Sequence, residues 1–255
     1  MTTSIVQTAL LDAFASITLA EMSGVALLDR IDTKYLLTDA QLAALLPALQ
    51  TAYRVLQVDG RRHSPYRTLY FDTQDFVLYH AHQGGRRVRY KVRSRQYVGT
   101  QLAFFEVKQK TGANHTRKER LATPELVTQV TGPVSAFLHE RVPLSASELE
   151  QKLWIDYDRI TLVGRQTHER LTIDFDLRFS IERRGVALPG LVIAELKSEG
   201  HPLASPFAQL MRRHLIRPGG FSKYCIGASL LHPALKHNRF NRILRRIEPL
   251  QERVH

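Results

Sequence analysis

The chain has 255 residues, and 36 Lys and Arg against 24 Asp and Glu leave a formal charge of +12 with its 11 histidines neutral. With 44% hydrophobic and 24% charged residues, the composition excludes a disordered tail and supports a buried core. A single cysteine, Cys225, excludes an intramolecular disulfide, and no Cys/His cluster has the spacing of structural zinc. The N-terminus lacks a basic start and carries Gln7 and Asp12 in its apolar stretch, unlike a secretory signal. No uncharged apolar run reaches the roughly 18 residues of a membrane-spanning helix. The expectation is a cytoplasmic protein with an anionic partner, which could be nucleic acid, nucleotide, polyphosphate or acidic lipid.

Along the chain, residues 5–22 have helical apolar spacing. Residues 27–38 read as a strand ended by Asp39 as an N-cap, and a short helix follows over 40–50. Residues 53–58 and 66–71 are rich in aromatic and β-branched side chains, and the turn chemistry between them predicts a hairpin. Residues 85–95, 101–110 and 115–121 predict a meander of three strands. A helix is predicted over 123–141 with an interruption at Gly132 and Pro133, then strands over 153–163, 168–180 and 191–198. Pro206 opens a helix running to about Leu215, and 221–231 begins extended and ends helical. The final segment predicts one basic amphipathic helix carrying Lys236, Arg239, Arg242, Arg245, Arg246 and Arg253, docked by its apolar stripe. The whole predicts an α+β fold, an antiparallel β-barrel with helices packed outside. The expected organisation is an N-terminal helical segment over 1–24, the barrel domain over 25–231 and the basic helix over 232–255.

Side chains alternate across a strand, so parity sorts the charges. Arg87, Arg89, Lys91 and Arg93 fall on one face, against Val88, Tyr90 and Val92. Glu106, Lys108 and Lys110 share a face, as do Thr116, Lys118 and Arg120. Arg170, Thr172, Asp174, Asp176 and Arg178 oppose Leu171, Ile173, Phe175, Leu177 and Phe179. Glu195 and Lys197 share a face, and Arg30, Asp32 and Lys34 alternate too. A barrel built this way turns its charged faces inward and its apolar faces out beneath helices. Such a lumen stays wet or holds a ligand, because burying unpaired charge costs several kcal/mol per ion. Lys and Arg clamp phosphate oxygens, and carboxylates hold a hard divalent metal, Mg2+ or Mn2+, that bridges them. The pattern points to metal-dependent phosphoryl chemistry.

At these residues the chain resembles the triphosphate tunnel superfamily, which is CYTH-like, and within it the VTC domain, the polyphosphate polymerase domain of the vacuolar transporter chaperone complex. The matching pieces run from Arg30 to Tyr35, Arg87 to Lys91, Glu106 to Lys110, Lys118 to Arg120, Arg170 to Asp174, Glu195 to Lys197 and Phe221 to Tyr224. The resemblance implies an enzyme that transfers the γ-phosphate of ATP to inorganic polyphosphate inside a tunnel of antiparallel strands. It implies phosphate contacts from Lys34, Arg87, Arg89, Lys91, Lys108, Lys118, Arg120, Arg170, Lys197 and Lys223. Lys223, Arg87 and Arg89 would act at the transferring phosphate, and Glu195 and Glu106 would hold Mn2+ or Mg2+. Arg159 is the alternative to Arg170 as a further clamp. Tunnel enzymes that hydrolyse triphosphates or make cyclic AMP carry two glutamates and a lysine on the first strand, where this chain has Arg30, Asp32 and Lys34. Two rival readings are a tunnel triphosphatase and a non-catalytic module binding polyphosphate or single-stranded nucleic acid, with Tyr90 and Tyr97 available to stack on bases.

Other motifs read as structural. His80 and His82 read as a surface pair, Gly84 and Gly85 as the turn into the basic strand, and Cys225 and Trp154 as core.

Overall fold

The computed structural model describes residues 10–23, 31–100, 102–112, 116–199 and 204–254. Its strands are β1 (Ser16–Ile17), β2 (Ile31–Thr38), β3 (Tyr53–Leu56), β4 (Ser64–Asp72), β5 (Arg89–Tyr97) and β6 (Leu102–Lys110). They continue with β7 (Thr116–Thr123), β8 (Glu150–Gly164), β9 (Glu169–Ile181), β10 (Arg184–Leu188), β11 (Leu191–Ser198) and β12 (Glu252–Val254). Pairing is mostly antiparallel, β1 with β3 forming a two-residue parallel pair, and helices complete an α+β fold. The chain divides into two units, one of residues 1–64, 158–176 and 189–221 and the other of 65–157, 177–188 and 222–255. The long strands β8 and β9 contribute residues to both.

In the first unit β11 pairs with β2 on one side and β9 on the other. One face of these strands carries Tyr35, Leu37, Leu171, Ile173, Val192, Ala194 and Leu196, all buried. The helix Asp39–Leu49 covers them with Leu42, Leu45, Leu46 and Leu49, spaced so that every contact lies on one stripe. Each such leucine contributes about 1.5–3 kcal/mol on burial, so Leu46→Asp would lift the helix from the sheet. Thr38, not Asp39, is the N-cap: its side chain accepts from Gln41 N while the Gln41 side chain accepts from Thr38 N. The helix Pro206–Arg213 adds Phe207, Ala208 and Met211 to the same core, capped by Ser205 with Pro206 at its first turn.

In the second unit β4, β5, β6 and β7 form the meander, in register Phe71 with Val92, Val92 with Val107, and Val107 with Glu119. That face, with Leu69 and Phe105, packs under Val134 and Leu138 of the helix Gly132–His139. The helix Val77–Gln83 has no cap from Phe76, which sits in the left-handed region; buried Asp72 accepts instead from Leu78 N and Tyr79 N, each at 2.8 Å, and from the Tyr224 hydroxyl. Tyr224 belongs to the helix Lys223–Leu231, and Ser229 of that helix bonds the Tyr79 hydroxyl at 2.8 Å.

Several expectations are corrected. The segments around Tyr53 and Tyr66 do not form a hairpin, because β3 pairs with β8 and β1 while β4 pairs with β5. The basic strand begins at Arg89, since Gly85 at φ +70° closes the preceding helix and Arg86 N is spent on Ala81 O. The helix predicted over 123–141 is only Gly132–His139: Pro124 keeps Thr123 extended, and Pro133 starts the helix, where its missing N–H costs nothing. The long C-terminal helix is instead Asn241–Ile247 between two 3-10 turns, anchored by buried Ile247, and the chain then pairs with β10 as β12. Near the N-terminus residues 10–12 are helical as predicted, β1 then breaks the run, and helix resumes over Leu19–Ser23. The start of that run and Arg30 lie outside the described residues.

Candidate functional site

The register settles which charges share a face. Opposed residues of an antiparallel pair point the same way, so Arg93, Glu106 and Arg120 stand in one row with Tyr70. Lys91, Lys108 and Lys118 form the next row, Arg89 and Lys110 another, and Arg95 lies beside Thr68. This face lies opposite the one covered by the helix Gly132–His139. It carries eight cations (Arg89, Lys91, Arg93, Arg95, Lys108, Lys110, Lys118 and Arg120) and one carboxylate, Glu106.

Glu106 is the hub of that face, with its side chain 1% exposed. Arg93 reaches its Oε2 at 2.6 Å, Lys118 its Oε1 at 2.5 Å, and Arg95 lies at 4.0 Å. Burial alone would raise its pKa, but Arg93, Arg95 and Lys118 outweigh that and hold the carboxyl well below the usual carboxylate range. Burial and the neighbouring Arg93 push the Lys118 ammonium down to about 7, against the pull of Glu106. Arg93 also donates to the Tyr70 hydroxyl at 2.9 Å. Burial opposes ionisation of that phenol, yet Arg93, Lys91 and Arg95 bring it down to about 8. Both oxygens of Glu106 are thus engaged by cations, an arrangement that holds those cations in place.

The remaining residues predicted on this unit are spread more widely. Lys91 donates to Ser222 Oγ at 2.9 Å, and the same oxygen caps the helix Lys223–Leu231 by accepting from Cys225 N. Lys223 is that helix's first residue, in a first turn without an acidic residue, and its ammonium lies 4.6 Å from the Tyr157 ring. Arg89 donates to Arg86 O at 2.8 Å, and Arg120 stacks over the Phe104 ring at 4.5 Å. Arg87 stands apart: it sits on an exposed bend ahead of β5 beside Gly112, not on the strand. His80 is exposed as expected, but His82 is partly buried against Tyr90 O at 3.1 Å, and burial with Lys91 pushes its pKa down to about 3.

The charged face of the first unit is built differently. Lys34, Glu195 and Thr172 form one row, and Asp32, Lys197 and Arg170 the next. Glu195 accepts from Lys34 at 2.7 Å on one oxygen and pairs with Lys197 at 3.0 Å on the other, while Asp32 lies 3.6 Å from Lys197. Arg159 grips Asp174 with two hydrogen bonds of 2.6 and 2.8 Å. Four cations thus meet three carboxylates. Burial would raise the Glu195 carboxyl, but Lys197 and Lys34 hold it well below its ordinary range. The row predicted to continue through Asp176 and Arg178 changes at Asp176, where φ is +51° and both residues become exposed.

Among the described residues, no group of three or more His, Cys, Asp or Glu is placed to hold a metal ion. A hard divalent cation needs only one or two protein carboxylates when substrate phosphates and water supply the rest. Glu195 and Glu106 are each such an oxygen donor, and a metal ion on either would displace a Lys or Arg now bonded to its carboxylate.

Arg93 and Arg95 are the residues that sequence reasoning passed over as site residues. Arg95 is 7% exposed in its side chain and Arg93 17%, against 37% for Lys118, the third cation around Glu106. The signal was the same alternation, carried two residues further along the strand.

The VTC domain family matches residues 29–232, and the chain belongs to that family. Its fold is that of the triphosphate tunnel, CYTH-like proteins. A candidate adenylate cyclase from Bacillus halodurans is 17% identical, with a TM-score of 0.50 over 76% of this chain and 93% of that one. A candidate adenylyl cyclase from Hippeastrum, with a dominant triphosphatase activity, is 13% identical, with a TM-score of 0.52 over 79% and 96%. No curated protein sequence matches the chain. Family and fold together define a tunnel enzyme that binds triphosphate or polyphosphate.

Proposed function

We propose that this protein is a polyphosphate polymerase that uses ATP. The observation that carries the reading is the one-sided face of β5, β6 and β7, eight cations against one carboxylate, in a chain of the VTC family. Side chains two apart on a strand repeat at about 6.6 Å, and three adjacent strands turn that row into a lattice of cations. A phosphate polymer, charged at every link, fits a lattice better than a single clamp does.

In the proposed reaction a terminal oxygen of the polyphosphate chain attacks the γ-phosphorus of ATP. The new P–O bond forms as the bond to the β-phosphate oxygen breaks, and ADP leaves with that electron pair. Arg93, Arg95, Lys108 and Lys118 hold phosphate oxygens and offset charge on the phosphoryl group as it moves, with Arg89, Lys91 and Arg120 extending the track. Lys34, Arg170 and Lys197 supply further cations, and Lys223 faces phosphate from its helix start. Glu195 would hold Mn2+ or Mg2+ together with substrate oxygens, and such an ion supplies neutralisation of the phosphate charge. Arg87 takes the most peripheral role.

Incubation with ATP and Mn2+ tests the reading by product analysis. Long acid-labile chains with ADP support polymerase, whereas ADP with orthophosphate alone replaces it by the triphosphatase reading, the activity named for the Hippeastrum protein. Glu195→Gln should abolish metal-dependent turnover and retain polyphosphate binding. A wild-type protein that binds polyphosphate without any turnover is a binding module.

A further inference from the structure

The helix Pro206–Arg213 ends in a Schellman motif: Ile216 N donates to Met211 O at 2.9 Å and Leu215 N to Arg212 O at 3.1 Å. Leu215 therefore occupies the left-handed position of that motif, at φ +57°, where glycine is the usual residue because a Cβ is strained there. The following Ile216 turns back onto the core of the first unit, so the motif pins Leu215 outward. It is 87% exposed, against 52% for Leu102, the next large hydrophobic among the described residues. The fold thus bears two costs at one residue, strain and exposure.

The surroundings say what would. Arg212, Arg213, His214 and Arg217 are exposed on both sides of Leu215. The sequence has no Asp or Glu from residue 200 to residue 247, a stretch holding nine Lys and Arg. The far side of the loop is tied down by Gly219 N donating to Lys34 O at 2.8 Å, so the projection is held and not merely loose. An apolar side chain held out among arginines complements a surface that is anionic outside and apolar beneath. We infer that this loop docks the protein on an anionic phospholipid surface, Leu215 entering the acyl boundary while Arg212, Arg213 and Arg217 meet headgroup phosphates. A soluble phosphate polymer would engage the arginines but has no use for the leucine, which is why the lipid surface is the better fit.

Co-sedimentation of the full chain with vesicles tests this, using phosphatidylcholine alone or with about one-third phosphatidylserine. Wild type should bind the mixed vesicles and leave the neutral ones. Leu215→Gly should weaken that binding roughly tenfold, the loss expected for one leucine withdrawn from an apolar phase, and its melting temperature should hold or rise because glycine relieves the left-handed strain. Replacing Arg212, Arg213 and Arg217 by Gln should abolish binding. The inference fails if wild type does not distinguish the vesicles or if Leu215→Gly binds as wild type does. Should that glycine variant bind normally while the Gln variant also loses inorganic polyphosphate, the loop serves a phosphate polymer instead.

Discussion

Each unit presents a charged strand face opposite an apolar face covered by helices, yet the two faces hold their charge in opposite ways. In the first unit Asp32, Asp174 and Glu195 sit among Lys34, Arg159, Arg170 and Lys197, and the opposite charges nearly cancel. In the second, Glu106 alone stands against a field of cations. A balanced face is stable without a ligand because its charges satisfy one another. A one-sided face stores repulsion that an anion relieves, so binding free energy is available where folding free energy was given up. The same contrast separates a set that can hold a metal from a set that can hold a phosphate chain.

The largest expected effect comes from removing the hub of the one-sided face. Glu106→Ala leaves Arg93, Arg95 and Lys118 confronting each other in a buried setting, and should destabilise by about 3–5 kcal/mol in urea unfolding. Glu195→Gln in the balanced face leaves Asp32 beside Lys197 and should cost about 1.5–3 kcal/mol. Equal losses would break the contrast. The next effect is on binding: Lys108→Ala or Arg95→Ala should weaken inorganic triphosphate by about tenfold or more in calorimetry. Arg159→Met, whose partner Asp174 already cancels it, should change triphosphate affinity far less even as it lowers stability.

Proton linkage sharpens the contrast further. The Lys118 ammonium, held at about 7 in the folded protein, is largely neutral at pH 8, and a bound triphosphate draws its proton back. Affinity should therefore fall as pH rises from 6 to 9, with proton uptake on binding, and Lys118→Arg should flatten that interval. For stability the sign is the reverse. A lysine whose folded pKa is depressed is a burden at low pH, and the burden lifts as pH rises above 7. The carboxylates of the balanced face stay ionised across this range, since Glu195 is held well below its ordinary value. The smallest effect is Thr38→Ala, which removes a cap at the end of β2 and should cost about 1 kcal/mol in the same unfolding measurement.

Much of this arrangement is legible in the amino-acid sequence. The alternation of Lys91, Arg93 and Lys108 with Tyr90, Val92 and Val107 put each on its proper face, because strand period leaves no other choice once the strand exists. The strand's start was less legible. Gly84 and Gly85 read as a turn, but only the bonds back into the preceding helix show that the turn consumes residues through Val88, which removes Arg87 from the face and centres it on Arg93 and Arg95. Likewise Pro133 reads equally as a helix breaker or a helix opener, and what decides is the extended strand β7 that ends before it.

By itself the sequence determined the charge excess, the faces of the strands and the family to which their order belongs, because alternation and spacing are local properties of the backbone. Only the tertiary structure decided which strands pair, that Glu106 gathers Arg93 and Lys118, and that Leu215 points into solvent. Those outcomes depend on long-range register and on how a helix ends against its core, and neither is encoded within the few residues that a periodicity can read.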